Sequence, residues 1–372
     1  MMDELLKYKI AITQIHGIGN ILAKNLIAYV GSVEGVFREK KQHLSKIPGI
    51  GEVLAEEIVS QNVMLRAEKE VEFVLKNNIL PIYFTDRDYP YRLKECPDSP
   101  IMIYCKGKCN LNEGKFVGIV GTRSATQIGK ENSAKLVSDL SAMISQLTIV
   151  SGLAYGIDIS AHKAALDNNL PTIGVLGHGL DRIYPSVHRS TAIKMLTNGA
   201  LVTEFLSETN PDRQNFVMRN RIIAGLCDAL VIVESGVKGG ALITAELAND
   251  YNRDVFAFPG RTTDEWSKGC NKLIKANQAS LIESAEDLIT FMNWEKQNEA
   301  VTDVPQTFLN FDLSEEEREI VSLLRQHPDG LQVNELAIML SKPFSKTSSK
   351  LLEMEFKGLV KCFPGNLYRI VK

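Results

Sequence analysis

Several signals that would place a chain in a common class are missing here. The six cysteines form no CxxC pair, so a disulfide framework is not indicated and reduced thiols are the default. No apolar run is long enough to span a membrane, and the N-terminus MMDELLKYKIAITQ has no basic-then-apolar secretion signal. We therefore expect a cytoplasmic protein without membrane insertion. The net charge of −3 over 372 residues does not favour a protein coated in basic charge, so any contact with nucleic acid would depend on local clusters of Lys and Arg.

Motifs for bound cofactors and metals are also missing. The sequence has no GxxxxGKS/T motif, so a Walker-type NTPase is unsupported. It also has no GxGxxG with an acidic residue at the right distance, which weakens the case for a dinucleotide-binding enzyme. Cys105 and Cys109 lie close together but lack a second Cys or His pair, so a zinc site is not indicated. The sequence thus predicts no cofactor, no metal and no catalytic residue.

What the sequence does contain is one pattern repeated four times, a short apolar run that leads into a polar loop with glycine. Each run is rich in Val and Ile and too short for an amphipathic helix, which is typical of a parallel strand buried on both faces. Each loop offers Gly, Ser or Thr where a helix is about to start, and helix N-termini bind phosphate through unpaired N–H groups. Four such loops on one sheet edge predict an extended anion-binding surface. The four segments read FVGIVGTRSAT from Phe116, TIVSGLAYGID from Thr148, TIGVLGHGLD from Thr172 and ALVIVESGVKGGALIT from Ala229.

The alternation of strands and helices predicts an extended Rossmann-like, doubly wound and mostly parallel α/β sheet with ligands at the C-terminal strand ends. A Tyr- and Pro-rich lead-in before the four loops is expected to be irregular and to end in an edge strand at Ile101–Cys105. We divide the chain into a helical domain at 1–75, the Rossmann-like domain at 76–292, a linker at 295–312 and a winged-helix-like domain at 313–372.

The first of these regions contains an internal repeat. IHGIGNILAKNLI from Ile15 aligns with IPGIGEVLAEEIV from Ile47. Each copy resembles a helix-hairpin-helix module, which often holds a DNA backbone through the N–H groups of its Gly-x-Gly turn. The alternative is a helical domain kept for packing or protein contact. It is favoured by Glu52, Glu56 and Glu57 in the second copy, which would repel phosphate.

The last region resembles a winged helix. Helical stretches near 315–326, 332–341 and 345–357 precede a hairpin with a Pro-Gly-Asn turn, and Ser314 with Glu317 forms a capping pair. Lys346 and Lys350 would lie on the third helix, which reads DNA in the DNA-binding version of this fold. Because many winged helices bind protein instead, both interpretations stay open.

Arginines and an aromatic residue are the strongest candidates for contact with nucleic acid. Arg123 follows the first strand, where a guanidinium makes a permanent, forked phosphate donor. Arg219 and Arg221 begin a predicted helix close to Phe216, and an aromatic residue beside arginines suits single-stranded nucleic acid. We expect one of these two arginines to be structural and the other exposed.

Other polar residues of the loops have weaker assignments. The glycines after Lys238 let a backbone approach phosphate closely, Ser151 has a similar role, and Tyr155 either stacks or packs. Asp158 and His162 are one helical turn apart, which suggests a general base, but no nucleophile accompanies them and a capping role for Asp158 is favoured. His178 lies between two glycines, where it could touch a ligand.

Taken together, these motifs resemble the bacterial DNA-processing protein A (DprA/Smf) family over residues 80–285. The motifs that carry the resemblance are VGIVGTR from Val117, SGLAYGIDISAH from Ser151, GVLGHGLDRIYP from Gly174, RNRIIAGL from Arg219, GGALITA from Gly239, FAFPG from Phe256 and GCNKLI from Gly269. The chain departs from the family pattern at two places. Tyr155 stands where some members carry lysine, and Lys-Gly-Gly at 238–240 replaces the usual Ser-Gly-Ser.

The resemblance implies a protein that binds and protects single-stranded DNA, dimerises, and helps to load the RecA recombinase during natural transformation, without catalytic turnover. It also implies a DNA site built from the first-loop arginine, the basic and aromatic residues near Phe216 and the glycine loops. Our predicted DNA-binding residues are Gly121, Thr122, Arg123, Ser124, Ser151, Gly152, Tyr155, Phe216, Arg219, Asn220, Arg221, Lys238, Gly239 and Gly240.

Two other functions compete with this one. The segment GGALITAEL is faintly similar to the PGGxGTxxE motif of nucleotide phosphoribohydrolases that share the fold, and in that enzyme Arg219 and Glu246 would serve a nucleoside monophosphate. The Pro is absent and the Gly-Thr pair is broken. The other possibility is a scaffold whose terminal domains bind only proteins.

Overall fold

The computed structural model describes residues 4–296, 314–327, 330–363 and 366–370. They fall into two compact units, one within residues 1–298 and one within 299–372. From residue 297 onward the predicted linker lies outside the described residues. The predicted boundary near residue 75 falls inside the first unit and stays a prediction. None of the described helices combines the length and the apolar character needed to cross a bilayer.

The first unit opens with a helical region made of two similar hairpins. In each, a Gly-Ile-Gly turn leads into a helix, and the turn glycines Gly17 and Gly49 have φ of +76° and +84°. A side chain at Gly17 would collide with Leu54, and one at Gly49 with Leu22, so each turn packs against the equivalent leucine of the other copy. The helices are α1 (Glu4–Ala11), α2 (Asn20–Val30), α3 (Val33–Arg38), α4 (Lys41–Leu44), α5 (Glu52–Ser60) and α6 (Met64–Lys76).

A nine-stranded sheet forms the body of this unit, and its spatial order is β1-β2-β6-β5-β4-β3-β7-β8-β9. Strands β3 to β9 pair in parallel, whereas β1 and β2 are antiparallel additions at one side. This confirms the predicted mostly parallel α/β sheet. The strands are β1 (Leu80–Tyr83), β2 (Met102–Gly107), β3 (Lys115–Val120), β4 (Leu147–Ser151), β5 (Thr172–Val175), β6 (Ala200–Thr203), β7 (Ala229–Ile232), β8 (Asp254–Ala257) and β9 (Ser280–Leu281).

The prediction of an edge strand at Ile101–Cys105 was wrong. That segment is β2, which lies between β1 and β6, and the edge belongs to β1 in the lead-in that we expected to be irregular. Proline has no backbone N–H to donate to a neighbouring strand, so within a sheet it is found mainly in edge strands, where one side needs no partner. Pro81 lies inside β1. The proline therefore marked an edge position rather than the absence of a strand.

Helices cover both faces of the sheet. One face packs against α8, α9 and α14, with Leu140 and Ile157 fully buried in that cluster. The other face packs against α11, α12 and α13, with Ile222 and Ala245 equally buried. The helices of this part are α7 (Tyr91–Lys94), α8 (Gln127–Met143), α9 (Ile157–Asp167), α10 (Arg189–Asn198), α11 (Arg213–Leu226), α12 (Gly240–Asp250), α13 (Lys268–Lys275) and α14 (Ala285–Phe291).

The second unit has the predicted winged-helix arrangement of three helices and a terminal hairpin. A short strand joins the hairpin in a three-stranded sheet of order β10-β12-β11. Pro364 and Gly365 of the predicted turn lie outside the described residues. The elements are α15 (Glu315–Gln326), β10 (Leu331–Gln332), α16 (Val333–Met339), α17 (Phe344–Phe356), β11 (Val360–Phe363) and β12 (Leu367–Ile370).

Candidate nucleic-acid interface

The four strand-to-loop segments meet at one edge of the sheet. They follow β3, β4, β5 and β7, which run in parallel beside one another. The chain passes from β3 through β4 and β5 to β6 on one side, then returns to place β7 on the other side of β3. Such a reversal opens a crevice at the carboxyl ends of the strands, where ligands of doubly wound folds bind.

The first loop already holds an anion of its own. The carboxylate of Glu234 accepts hydrogen bonds from the backbone N–H of Thr126, at 2.9 Å, and from the Thr126 hydroxyl. Thr126 is also the N-cap of α8, since its side chain accepts from the Gly129 N–H. The N-cap residue of this helix is therefore engaged within the protein, whereas Arg123 of the same loop is exposed.

The second loop is filled in the same way by Asp158. Its carboxylate accepts from the N–H groups of Gly152 and Ala154, at 3.1 and 3.4 Å. Burial raises the pKa of Asp158, which the guanidinium of Arg219 opposes. Asp158 thus binds its own loop, while the N-cap of α9 is Gly156, so the predicted helix-capping role is wrong.

His162 is bound elsewhere and does not complete an acid–base pair with Asp158. Its Nδ1 lies 2.7 Å from the Thr172 hydroxyl, inside the sheet. Burial lowers the pKa of His162 to about 3, which keeps the ring neutral at physiological pH. This places His162 in the core of the fold.

The third loop does not lead straight into a helix. The N–H of Tyr184 donates to His178 Nε2 at 3.3 Å, and His178 Nδ1 lies 2.8 Å from the Gly179 carbonyl. His178 is buried, so it braces the loop from inside rather than facing solvent. Tyr184 is one of the exposed residues of this loop.

The fourth loop differs from the first two because no carboxylate among the described residues accepts from its N–H groups, and its helix, like α9, begins without a side-chain cap. The N-cap of α12 is Gly239, which has no side chain to accept from the helix. Lys238 precedes it and is exposed. The first turn of α12 thus combines N–H groups that no side chain caps with a cation, which is a favourable setting for phosphate.

A groove of about 540 Å³ lies between the first loop, the start of α11 and the start of α12. At its centre the guanidinium of Arg123 lies 5.2 Å from the centroid of the Phe216 ring, and that of Arg219 lies 6.0 Å from it. The ring of Tyr184 stacks on Phe216, with 5.7 Å between centroids and 29° between planes. Two cations and two aromatic rings therefore share one opening.

Arg219 forms the floor of this groove and is only 3% exposed. Its Nε and Nη1 donate to no acceptor within the described part of the chain. Burial lowers the pKa of Arg219 to about 10, Asp158 opposes that shift, and Arg123 adds to it. The side chain therefore stays charged at neutral pH, and two of its N–H groups are buried without a partner among the described residues.

Arg221 belongs to the interior instead. It forms an ion pair with Glu204 and donates to the carbonyl of Asp98. The expectation that one arginine is structural is thus met by Arg221. The expectation that the other is exposed was wrong, because Arg219 is buried as deeply, in the lining of the groove.

The groove brings together nine of the fourteen predicted residues. These nine are Gly121, Thr122, Arg123, Phe216, Arg219, Asn220, Lys238, Gly239 and Gly240. The other five lie outside its lining: Ser124, Ser151, Gly152, Tyr155 and Arg221. Ser151 is buried and its hydroxyl donates to the Ile119 carbonyl at 2.6 Å, whereas Tyr155 is 48% exposed with its edge against His188.

Among the lining residues that the sequence analysis did not assign to the site, two have side chains suited to nucleic acid. Arg213 opens α11 and is exposed at the groove, three residues before Phe216. Tyr184 comes from the third loop and reaches the groove because the chain folds back there. The cluster of Arg213 with Phe216 was readable as a local basic–aromatic pattern. No local signal joined Tyr184 to residues more than thirty positions away.

Glu246, which the competing enzyme would require, does not line the groove. It is exposed on α12, on a part of the helix beyond the groove residues Gly240, Ala241, Ile243 and Thr244. Among the described residues, no three His, Cys, Asp or Glu side chains come together in a way that could hold a metal ion.

Some of the cations in the flanking regions are paired with carboxylates. In the second hairpin, Lys41 is paired with Glu52 and Glu56. In the first, the side chain of Asn20 accepts from the Ile101 N–H at 2.9 Å, so this helix start is packed on the sheet. On α17 Lys350 is paired with Glu317 and Glu353, and hydrogen bonds to these carboxylates raise the pKa of Lys350.

Comparison with known proteins agrees with this geometry. The model of the family described as DNA recombination-mediator protein A matches residues 81–293, more than half of the chain. The chain belongs to this family. A second model, the SAM-like helix-hairpin-helix tandem, matches residues 10–61 and confirms the hairpin repeat.

Members of the recombination-mediator family match well beyond the sheet domain. Protein Smf of Synechocystis sp. is 32% identical over 401 residues, which cover 97% of this chain and 98% of that protein. The X-ray structure of DNA processing protein A from Streptococcus pneumoniae has a TM-score of 0.66 at 31% identity and covers 76% of this chain and 97% of that one. DNA processing protein A from Helicobacter pylori, whose structure addresses its single-stranded DNA binding mode, has a TM-score of 0.52 at 29% identity and covers 58% and 95%.

Proposed function

We propose that this chain binds single-stranded DNA in the groove at the β3/β7 crevice. The observation that carries the proposal is the convergence of Arg123 and the buried Arg219 on one aromatic cluster. Guanidinium groups pair with phosphate in a forked geometry, and aromatic rings stack on any base. The Helicobacter pylori relative, which binds single-stranded DNA, supports the same ligand here.

The groove suits a polymer better than a compact cofactor. It is open to solvent along its length and its cations lie at several depths, from the exposed Lys238 and Arg213 to the buried Arg219. A strand can place successive phosphates along such a series, while its bases meet the rings between them. The first two loops hold internal carboxylates, which restricts the anion site to Arg123, the groove floor and the start of α12.

We further propose that the bound strand is protected and passed to the RecA recombinase during DNA uptake, that the protein acts as a cytoplasmic homodimer, and that it does not turn over a substrate. The family's description as a recombination mediator supports the RecA role. The position of Glu246 outside the groove supports the absence of phosphoribohydrolase chemistry. An assay for free base released from nucleoside monophosphates should therefore be negative, and sustained release would refute this part of the proposal.

The central test is the substitution Arg123→Ala. We expect it to weaken binding of a short oligothymidylate about tenfold or more, because a charge-assisted hydrogen bond to phosphate contributes roughly 1.5–3 kcal/mol. The slope of log K against log salt should fall by about 0.7 for each phosphate of the single strand that the variant no longer neutralises. Fluorescence anisotropy at several salt concentrations measures both quantities.

The matched control is Arg38→Ala, which removes an exposed arginine of α3 far from the groove in sequence and outside its lining. It should leave both affinity and salt slope at their wild-type values. Equal affinity for Arg123→Ala and wild type would refute the assigned site.

For the RecA role, addition of the protein should speed RecA assembly on single strands already coated by a single-strand-binding protein, and no acceleration would refute it.

A further inference from the structure

We infer that Tyr184 supplies the base-stacking ring of the groove and that Phe216 serves beneath it to position the arginines. The inference rests on the proposed function, because it assigns separate roles to residues of the same site. It differs from the sequence-based expectation, which assigned the aromatic contact to Phe216. The ligand it names is a nucleobase of any type in a single strand.

Phe216 is already surrounded by the protein. Arg123 and Arg219 lie over its ring at 5.2 and 6.0 Å, and Tyr184 stacks on it at 5.7 Å. The backbone of Gly177 approaches so closely that an added Cβ would lie 2.8 Å from Phe216 Cδ1. Each of these four neighbours occupies part of the space around the ring, and Phe216 is half-buried.

Tyr184 has the opposite environment. Its side chain is 44% exposed, and it lines the groove from the third loop. Its backbone is held, because its N–H donates to the buried His178 and the following Pro185 is buried. A ring that is fixed at its base and open at its side is preorganised to receive a planar ligand.

The two rings therefore have separable roles. A base stacked on the open side of Tyr184 extends the Tyr184–Phe216 stack by one layer and leaves the arginines free for phosphate. Stacking contributes affinity without sequence preference, since every base has a π-face. Phe216 contributes through the guanidinium of Arg123, which it holds over the groove by a cation–π contact.

The test compares Tyr184→Ala and Phe216→Ala on two ligands, an oligothymidylate and an oligomer of the same length with abasic sites. Tyr184→Ala should weaken binding of the oligothymidylate about tenfold, leave the abasic oligomer unaffected, and keep the wild-type salt slope, because the arginines still pair with the same phosphates. Phe216→Ala should weaken both ligands and lower the slope, because it releases Arg123. Tyr184→Phe should restore wild-type binding, and Tyr29→Ala, which removes an exposed tyrosine of α2, should have no effect.

Each outcome has a clear meaning. Equal losses of affinity on both ligands for Tyr184→Ala, or no loss on either, would overturn the inference while leaving an Arg123-dependent groove intact. Failure of the wild-type protein to bind any single strand would overturn the proposed function and the inference with it. Retention of Arg123-dependent binding to the abasic oligomer by Tyr184→Ala shows that the variant is folded.

Discussion

The first and fourth loops look alike in sequence and differ in electrostatics. Both follow a buried parallel strand and both lead into a helix, α8 in one case and α12 in the other. At α8 the helix start is capped by Thr126 and occupied by the carboxylate of Glu234. At α12 the cap is a glycine, and the exposed Lys238 precedes it. One loop is neutralised from inside the protein, and the other is left for a ligand.

This difference shows that a glycine loop before a helix is not by itself an anion site. Glu234 lies 108 residues from Thr126 in sequence, just beyond β7, and becomes its partner only because β7 lies beside β3. Asp158 fills the second loop locally. The role of such a loop depends on whether a carboxylate of the protein reaches its N–H groups.

The largest effect should follow Gly152→Ala, which disturbs Arg219 at the floor of the groove. Gly152 itself belongs to the second loop and lies outside the groove lining. An added Cβ would lie 1.5 Å from Arg219 Nη1, so the guanidinium has to move. We expect binding of single-stranded DNA to fall about 100-fold, because the charged guanidinium is displaced from the groove floor. Overpacking should also lower the free energy of unfolding by about 1–3 kcal/mol. Anisotropy and chemical denaturation measure the two effects.

A double-mutant cycle with Arg219→Met isolates the cause. If Gly152→Ala acts through Arg219, the double variant should bind no more weakly than Arg219→Met alone. Additive losses of affinity would contradict this account and would assign the effect to the second loop itself.

The fold followed from sequence more fully than the site did. The Val- and Ile-rich runs predicted β3, β4, β5 and β7, because a strand that is buried on both faces has apolar residues at nearly every position. The Gly-Ile-Gly repeat likewise predicted the two hairpins. Strand β1 was missed because its identity as an edge depends on β2, and Pro81 reads locally as a strand breaker.

Site residues were predictable where their neighbours in the groove are also neighbours in the chain. Arg219 and Phe216 lie on one turn of α11, so a basic–aromatic pattern identified both. Arg219 and Arg221 are both buried, and their different roles depend on residues in other parts of the chain, namely Asp158 for one and Glu204 for the other. Long-range pairing of this kind leaves no local pattern to read.

An intermediate effect is expected from Gly240→Ala, which tests the open helix start directly. An added Cβ at Gly240 meets nothing within 4 Å, and Ala is favoured over Gly in a helix by up to about 1 kcal/mol, so the fold should be equally or more stable. The methyl group would nevertheless stand in the groove, where phosphate approaches the N–H groups of α12. Binding of single-stranded DNA should weaken several-fold.

Gly51→Ala is the matched control, because Gly51 also lies at a helix start, an added Cβ there also meets nothing within 4 Å, and the carboxylates of Glu52, Glu56 and Glu57 in its hairpin would repel phosphate. It lies outside the groove and should leave DNA binding unchanged. If Gly240→Ala binds as wild type does, phosphate does not approach α12, and the contrast between the two loops has no functional consequence.

The smallest effect on binding should come from Glu234→Gln, the change that makes the first loop most like the fourth. Loss of the carboxylate charge beside Thr126 should lower the free energy of unfolding by about 1 kcal/mol, since an anion near a helix start is stabilising. Because Glu234 is outside the groove lining, affinity for single-stranded DNA should stay within about twofold of wild type. A tenfold gain in affinity, with a steeper salt slope, would mean that Glu234 competes with a DNA phosphate for the start of α8, and the first loop would then be a masked anion site rather than a structural one.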